Sequence, residues 1–463
     1  MSWDSATAIA ADVASGRQRA GDVVASVLAT IARRNPLLNA FTAVTAERAV
    51  ARAVAIDAAV AAGQPVGKLA GVPFAVKNLI DVAGLPTLAG SRINRAHPPA
   101  ARDATLVTRL EAAGAVLVGA LNMGEYAYDF TGENAHDGAS RNPHDTARMS
   151  GGSSGGSGSA VAGGMVPIAL GSDTNGSIRV PSSFCGVFGL KPTYGRLSRA
   201  GSFPFVASLD HLGPFARCVA DLALAYDAMH GPDPDDPACA ERAAEQVAAS
   251  LHDGIEGLRI VRAGGYFRAG ASAEALSALD IVASALDAAR EIELPEAARA
   301  RAAAYVITAT EGAALHLQRL RTNGEEFDPD VRDRLIAGAL LPAAMVTQAQ
   351  KFRRWYHDAV VRLFADVDAI LAPATPCVAP LIGQKTFVLD GKEMPLRPNI
   401  GIYTQPISFI GLPVVAVPVM QDCGLPIGVQ VIAAPWREDV ALRIAQALET
   451  RGVVQAPRPP LEN

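Results

Sequence analysis

Two serine- and glycine-rich segments and one lysine hold the chemistry that this sequence offers. The first segment, Gly151-Gly152-Ser153-Ser154-Gly155-Gly156-Ser157, contains G-x-S-x-G at Gly152 to Gly156. That pattern presents a nucleophilic serine when a strand leads directly into it. The residues before it, Asp145 to Ser150, are polar and read as a poor strand, so an α/β-hydrolase elbow is not expected. A flexible linker fits badly too, because an apolar run and a second Gly/Ser segment follow at once. The second segment is Gly171-Ser172-Asp173-Thr174-Asn175-Gly176-Ser177-Ile178-Arg179. Backbone N–H groups around Asn175, Gly176 and Ser177 can form a concave nest for an oxyanion. A serine is a useful nucleophile only beside a base, and neither segment holds a histidine. Lysine usage supplies a candidate. Six of the 41 basic residues are Lys, and Lys77 interrupts the apolar run Val72 to Ile80. Burial there would lower its pKa towards that of a general base.

These residues need rigid elements around them. Ser5 reads as the cap of an Ala-rich helix ending near Gly16, and Asp22 to Arg34 has helical apolar spacing. Leu69 to Ile80 reads as a buried strand leading into a loop, and residues 103–121 as a helix followed by a strand. A strand at Val166 to Leu170 separates the two serine segments. Residues 231–240 form a Pro-rich hinge, residues 254–360 are mostly helical with a strand candidate, LRIVRA, near 258, and the remainder alternates strands with helices. Strands mixed with helices throughout, without a repeat, predict an α/β protein with a single large mixed sheet flanked by helices on both faces.

Composition sets outer bounds. The chain has 463 residues, is 50% hydrophobic and 19% charged, and carries a formal net charge of −5. It can bury a large core and offers no basic footprint for nucleic acid. The five cysteines are scattered, form no C-x-x-C, and read as buried packing residues. The eight histidines show no metal-ligand spacing; neither a phosphate-binding loop nor a dinucleotide fingerprint occurs, so no metal or cofactor is expected. The N-terminal residues lack an export-signal pattern, and the uncharged stretch 398–420 carries prolines, Pro398, Pro406 and Pro413 among them, that argue against a membrane span, which predicts a cytoplasmic protein.

Lys77, the run starting at Gly151, and the segment from Gly171 to Gly201 together resemble the amidase signature family. The 24-residue separation of Ser153 and Ser177 fits, as do the phrases VPFAVKNLIDVAGLPTLAGS, LNMGEYAY, AILAPATP and GLPIGVQVIAAPW. The resemblance spans nearly all of 1–463, with a catalytic core at about 70–215 and a helical insertion at about 231–360. It implies Ser177 as the acylated nucleophile, Ser153 as a bridging serine after a cis peptide, and Lys77 as the base. It also implies an oxyanion hole from the backbone N–H groups of Thr174, Asn175 and Gly176. The family usually has glycine where this chain has Asn175, which makes Asn175 a candidate for substrate choice.

Within the family the phrases GSDTNGSIRVP, YGRLSRAGSFPFV, LDHLGP and AAYVITATEGAALHL are most similar to hydrolases of small urea-like amides of the carboxybiuret type, from s-triazine breakdown. That likeness implies ammonia release from a small-molecule amide, with no nucleic acid or membrane partner. It also implies a small accessory subunit, and a homodimer is an open alternative to a single chain. Tyr128, Asp129, Arg179 and Asn175 are the substrate-binding candidates. Asp129 would repel a carboxylated substrate unless an arginine offsets it, and would suit a guanylurea-like compound better. Arg179 could hold a substrate carboxylate or simply pair with Asp173. Two other readings remain: the amidase component of an aminoacyl-tRNA amidotransferase, and a non-catalytic scaffold. The joint presence of Lys77, Ser153 and Ser177 speaks against the scaffold.

Overall fold

The computed structural model describes residues 3–461; Met1 and Ser2, part of the N-terminal stretch without an export pattern, lie outside the described residues. The chain begins with helices α1 (Ala6–Ala14), α2 (Ala20–Leu38) and α3 (Ala46–Ala61), with strand β1 (Phe41–Val44) between the last two. Ser5 caps α1 as expected, its side chain accepting from the Ala8 N–H. Next come β2 (Pro73–Lys77), α4 (Thr105–Ala112) and β3 (Val116–Leu121), with β2 and β3 parallel.

The serine segments follow. A small hairpin, β4 (Arg141–Asn142) and β5 (Asp145–Met149), leads into α5 (Gly155–Ala162), then β6 (Ile168–Asp173), α6 (Arg179–Cys185), β7 (Phe188–Lys191), β8 (His211–Ala216) and α7 (Val219–Met229). Asp145 to Met149 is therefore a strand, contrary to the sequence expectation. Its polar residues are tolerated because it pairs only with β4, outside the large sheet, and stays partly exposed.

Beyond the hinge come β9 (Ile260–Ala263), α8 (Ala273–Ala285), β10 (Glu291–Ile292), and the helices α9 (Ala297–Asn323), α10 (Pro329–Ala339) and α11 (Ala343–Leu363). The chain ends through β11 (Ala369–Pro373), a second hairpin β12 (Thr386–Leu389) and β13 (Lys392–Pro395), short helices α12 (Leu396–Asn399) and α13 (Gln405–Ser408), then β14 (Val414–Met420), β15 (Pro426–Ala433) and α14 (Glu438–Thr450).

Eleven strands make one mixed sheet in the order β1-β3-β2-β6-β8-β7-β14-β15-β11-β9-β10. The inner strands β2, β3, β6, β7, β8, β11 and β15 are buried at every residue. That is the signature of a sheet covered on both faces, and it explains their near-continuous apolar runs. The segment read as a mostly helical insertion supplies β9, where a strand was expected near 258, and also β10 to one sheet edge, through the β9–β11 pairing. The cysteines are less uniform than expected. Cys185 is buried, Cys218, Cys239 and Cys377 are half-buried, and Cys423 is exposed between β14 and β15, where a turn leaves no core to enter. Among the described residues no helix is long and apolar enough to cross a membrane.

Candidate active site

The site lies where β2 and β6 end side by side. The two strands are parallel, with Val76 opposite Leu170, so the ends of both point the same way. Lys77 closes β2 with its side chain wholly buried. Its Nζ lies 2.7 Å from Ser153 Oγ and 2.8 Å from Ser172 Oγ. Burial pushes the ammonium down to a pKa of about 7, against the pull of the Asp210, Asp173 and Asp129 carboxylates. Such an amine is substantially neutral near neutral pH. One N–H can then stay on Ser172 while the lone pair faces the Ser153 hydroxyl.

Ser153 sits just before α5, after a cis peptide between Gly152 and Ser153. Its position is pinned on both sides: the Gly124 N–H donates to Ser153 O (3.1 Å) and the Gly152 N–H to Phe130 O (2.9 Å). A Cβ on Gly152 would lie 2.4 Å from Asp129 Oδ2, so only glycine admits this approach. Ser154 ties α5 to β6, accepting from the Ser172 N–H and donating to Ser172 O.

Ser177 and Asn175 are nearly buried and line a narrow cavity, together with Thr174, Tyr128, Tyr305 and Arg334. Among the described residues, none accepts a hydrogen bond from the backbone N–H of Thr174, Asn175, Gly176 or Ser177. Buried N–H groups are rarely left so, and four in one turn make a ready receptor for a developing oxyanion. The turn is held from outside. Thr174 Oγ1 donates to Asp210 Oδ1 (2.6 Å), Thr404 Oγ1 donates to Asn175 O (2.7 Å), and Asn175 Nδ2 donates to Thr308 Oγ1 (2.9 Å). Gly176 has φ 142°, and a Cβ there would fall 2.2 Å from Thr404 Oγ1. Asn175 thus points into the cavity with Oδ1 buried and unpartnered.

Two of the four substrate-binding candidates are corrected. The Arg179 side chain is completely buried, and all five of its N–H donors are spent: two on Asp173, and one each on Thr404 O, Gln430 Oε1 and Ser408 Oγ. It has nothing left for a substrate. Asp129 borders the cavity, but its carboxylate accepts from the Thr131 N–H, the Thr131 hydroxyl, the Gly132 N–H and Arg397 Nη1. Arg397, shared with Glu133 and Asp330, offsets part of its charge, and its oxygens are engaged by protein donors rather than free for a ligand. Tyr128 and Asn175 do face the cavity. His136 and His144 are engaged with Glu125 and Cys185 O, and His211 with Leu209 O and Asp173 O, and none of the three contacts Ser153 or Ser177 through a hydrogen bond.

Sequence reasoning missed Ser172, Asp210, Thr308, Tyr305 and Arg334. Only Ser172 carried a usable signal, since it lies in the second Gly/Ser segment just after the strand expected at Val166 to Leu170. Replacing Ser172 with alanine leaves one buried Lys77 donor without a partner, and kcat is expected to fall about 10–100-fold with KM unchanged. Steady-state kinetics on the folded variant checks this; an unchanged kcat would remove Ser172 from the positioning of Lys77.

A buried lysine touching one serine, a second serine over an empty receptor of N–H groups, and a mixed α/β sheet carrying both define an amide hydrolase. Residues 22–442 match the family model described as Amidase, and the chain belongs to the amidase signature family. It is 55% identical over 445 residues to AtzE, a 1-carboxybiuret hydrolase component of Pseudomonas sp. (strain ADP), in a match that covers 96% of this chain and 97% of that one. It is 36% identical to a glutamyl-tRNA(Gln) amidotransferase component of Chloroflexus aggregans (strain MD-66 / DSM 9485), covering 94% of both chains. A solved s-triazine catabolic enzyme, described as belonging to a vestigial protein complex, matches with a TM-score of 0.97 at 54% identity, covering 98% of this chain and 100% of that one. A bacterial aryl acylamidase matches with a TM-score of 0.88 at 27% identity, covering 97% of this chain and 96% of that one. The protein is a hydrolase of amide C–N bonds.

Proposed function

We propose that this enzyme releases ammonia from 1-carboxybiuret, with Ser177 as nucleophile, Ser153 as proton bridge and Lys77 as base. The observation that carries the substrate is the 55% identity, along 96% of the chain, to a 1-carboxybiuret hydrolase component. The contact of Lys77 with Ser153 supports the roles. Neutral Lys77 takes the proton of Ser153, which takes that of Ser177 as Oγ bonds to the terminal amide carbon. The carbonyl oxygen gains charge against the N–H groups of the 174–177 turn. The C–N bond then breaks, and the proton returns along the same path to the departing ammonia. Water, deprotonated by the same relay, hydrolyses the acyl-enzyme and leaves a new carboxylate where the amide was.

A small accessory subunit is part of this reading, because a relative of 54% identity is described within a protein complex. Self-association into a dimer is the other assembly to test, and light scattering on the chain with and without co-expressed partner separates the two. The substrate is tested by ammonia release from 1-carboxybiuret, biuret, allophanate, guanylurea and malonamide, by wild type and Ser177→Ala. Fastest turnover of 1-carboxybiuret, abolished in Ser177→Ala, is the expected result. Preference for guanylurea or a neutral amide would move the substrate, and activity surviving in Ser177→Ala would overturn the relay.

A further inference from the structure

The oxyanion turn and the base of the relay share one buried carboxylate. Asp210 lies just before β8, which pairs with β6 so that His211 stands opposite Asp173. That register sets Asp210 beside Thr174, the first residue of the turn. Its Oδ1 accepts from Thr174 Oγ1 at 2.6 Å, and its Oδ2 accepts from the Phe205 N–H at 2.9 Å and the Val206 N–H at 3.0 Å. Phe205 borders the cavity, with its ring 4.9 Å from that of Tyr128. One carboxylate thus ties the turn to the cavity wall.

Three carboxylates act on the buried Lys77: Asp210, Asp173 at the end of β6, and Asp129 in the loop after β3. Two of them face a cation of their own. Arg179, on α6, is 2.9 Å from Asp173, and Arg397, on α12, is 2.7 Å from Asp129. The guanidinium of such a pair cancels much of what the carboxylate would exert on a third charge. Asp210 has no cation within 4.0 Å among the described residues. Arg199, from the loop between β7 and β8, acts on it from further off, and its guanidinium is committed to Asp236 at 3.3 Å. His211, next in the chain, is wholly buried and held neutral, with Nδ1 turned to Asp173 O and Leu209 O. Lys191, which closes β7, acts on Asp173 and His211. Burial without an ion pair is costly for a carboxylate and pushes the Asp210 pKa up. Its unmatched charge is the strongest of the three pulls that favour a proton on Lys77.

We infer that Asp210 is a positioning residue of this reaction, fixing the oxyanion turn through the Thr174 hydroxyl and holding a negative charge ready for the ammonium that forms on Lys77. Proton transfer to Lys77 and charge build-up on the carbonyl oxygen belong to the same step. Asp210 serves the first by its charge and the second by its hydrogen bond. The inference rests on the relay proposed above, with Lys77 as its base.

Asp210→Asn removes the charge and keeps the shape. The amide oxygen can accept from the Phe205 and Val206 N–H groups while its NH2 donates to Thr174 Oγ1. The pH dependence of ammonia release from 1-carboxybiuret is measured on the full chain, with any co-purifying partner, for wild type, Asp210→Asn and Thr174→Val. The rate at which a small alkyl fluorophosphonate labels Ser177 is followed alongside, since it does not depend on which amide is the substrate. Wild-type rates should rise through about pH 7. In Asp210→Asn that midpoint should move down by about one to two pH units. Its plateau kcat should be about tenfold lower, with KM changed less than about threefold. Thr174→Val keeps the carboxylate, so the midpoint should stay while kcat falls about tenfold. A folded Asp210→Asn enzyme with the wild-type midpoint would overturn the inference whatever its kcat, because a purely structural role lowers kcat without moving the profile. Should Asp210→Asn not fold, Thr174→Val decides, and wild-type kcat and labelling in that variant would overturn it. Wild-type labelling that is flat from pH 5.5 to 9.5 would overturn the relay and the inference with it. If the relay titrates and only Asp210→Asn leaves the midpoint in place, the inference fails alone.

Discussion

Lys77→Met is expected to reduce kcat by about 10⁴-fold or more and, at the same time, to make the protein more stable near neutral pH. The catalytic loss follows from removing the base of a relay, where deleting one member costs about as much as deleting several. The gain in stability follows from burial. Lys77 is held wholly inside the protein with its pKa lowered to about 7 from 10.5, whereas in the unfolded chain it is an ordinary lysine. Between those two values the unfolded state binds more protons, so stability rises with pH across that window and is poorest below about pH 7. A shift of that size corresponds to about 5 kcal/mol, offset by the two serine hydroxyls left with poorer bonding at about 1–3 kcal/mol. A net gain of about 2 kcal/mol at pH 7, shrinking as pH rises towards 10, is the expected outcome of urea unfolding at several pH values. Wild-type kcat/KM should rise with pH through about 7 and then level, because the base works only when neutral. A flat profile across pH 6–8 would remove Lys77 as the titrating base.

What could be read in advance follows from how locally each feature is encoded. Lys77 stands out because a cation in an apolar strand is rare, and Ser153 and Ser177 because each lies in a glycine-rich turn with its own spacing. The central strands are legible for the same reason, since β3, β14 and β15 are apolar along nearly their whole length. Features that depend on distant partners were not legible. Asp129 looks like a free carboxylate until Arg397, 268 residues away, is placed against it. Asn175 gains its orientation from Thr308, 133 residues on. Arg334 is one of many arginines on a helix, and only the fold brings it over Tyr128. The strand β5 was missed because a two-stranded hairpin with exposed residues needs no apolar alternation.

Arg179→Met is expected to destabilise the protein by about 3–5 kcal/mol, the larger of the structural effects available near the site. Arg179 and Asp173 form an ion pair at 2.9 Å in which both side chains are wholly buried. The guanidinium beside Asp173 holds its carboxyl far below the ordinary range, against burial, the largest influence, which opposes it. A pair of this kind adds little over a well-packed apolar pair, but losing one partner leaves the other charged and without compensation. Because the Asp173 pKa is depressed in the folded state, its contribution is fully present above the unfolded value near 3.8 and disappears only in strong acid. The loss from Arg179→Met should therefore be constant across pH 5–8, unlike the Lys77 effect. Adding Asp173→Asn should restore at least half of it, since the stranded charge is gone while an oxygen still accepts from the Ile178 N–H. Activity should suffer beyond stability, because Arg179 reaches from the nucleophile's own turn to Thr404 O, Gln430 and Ser408 in the C-terminal half, and Thr404 in turn holds Asn175 O. A folded Arg179→Met enzyme should thus show lower kcat with substrate preference intact, which is the opposite of what loss of a carboxylate anchor would give. An unchanged urea midpoint in Arg179→Met would show that water or rearranged donors replace the guanidinium, and the ion pair would no longer explain how the oxyanion turn keeps its shape.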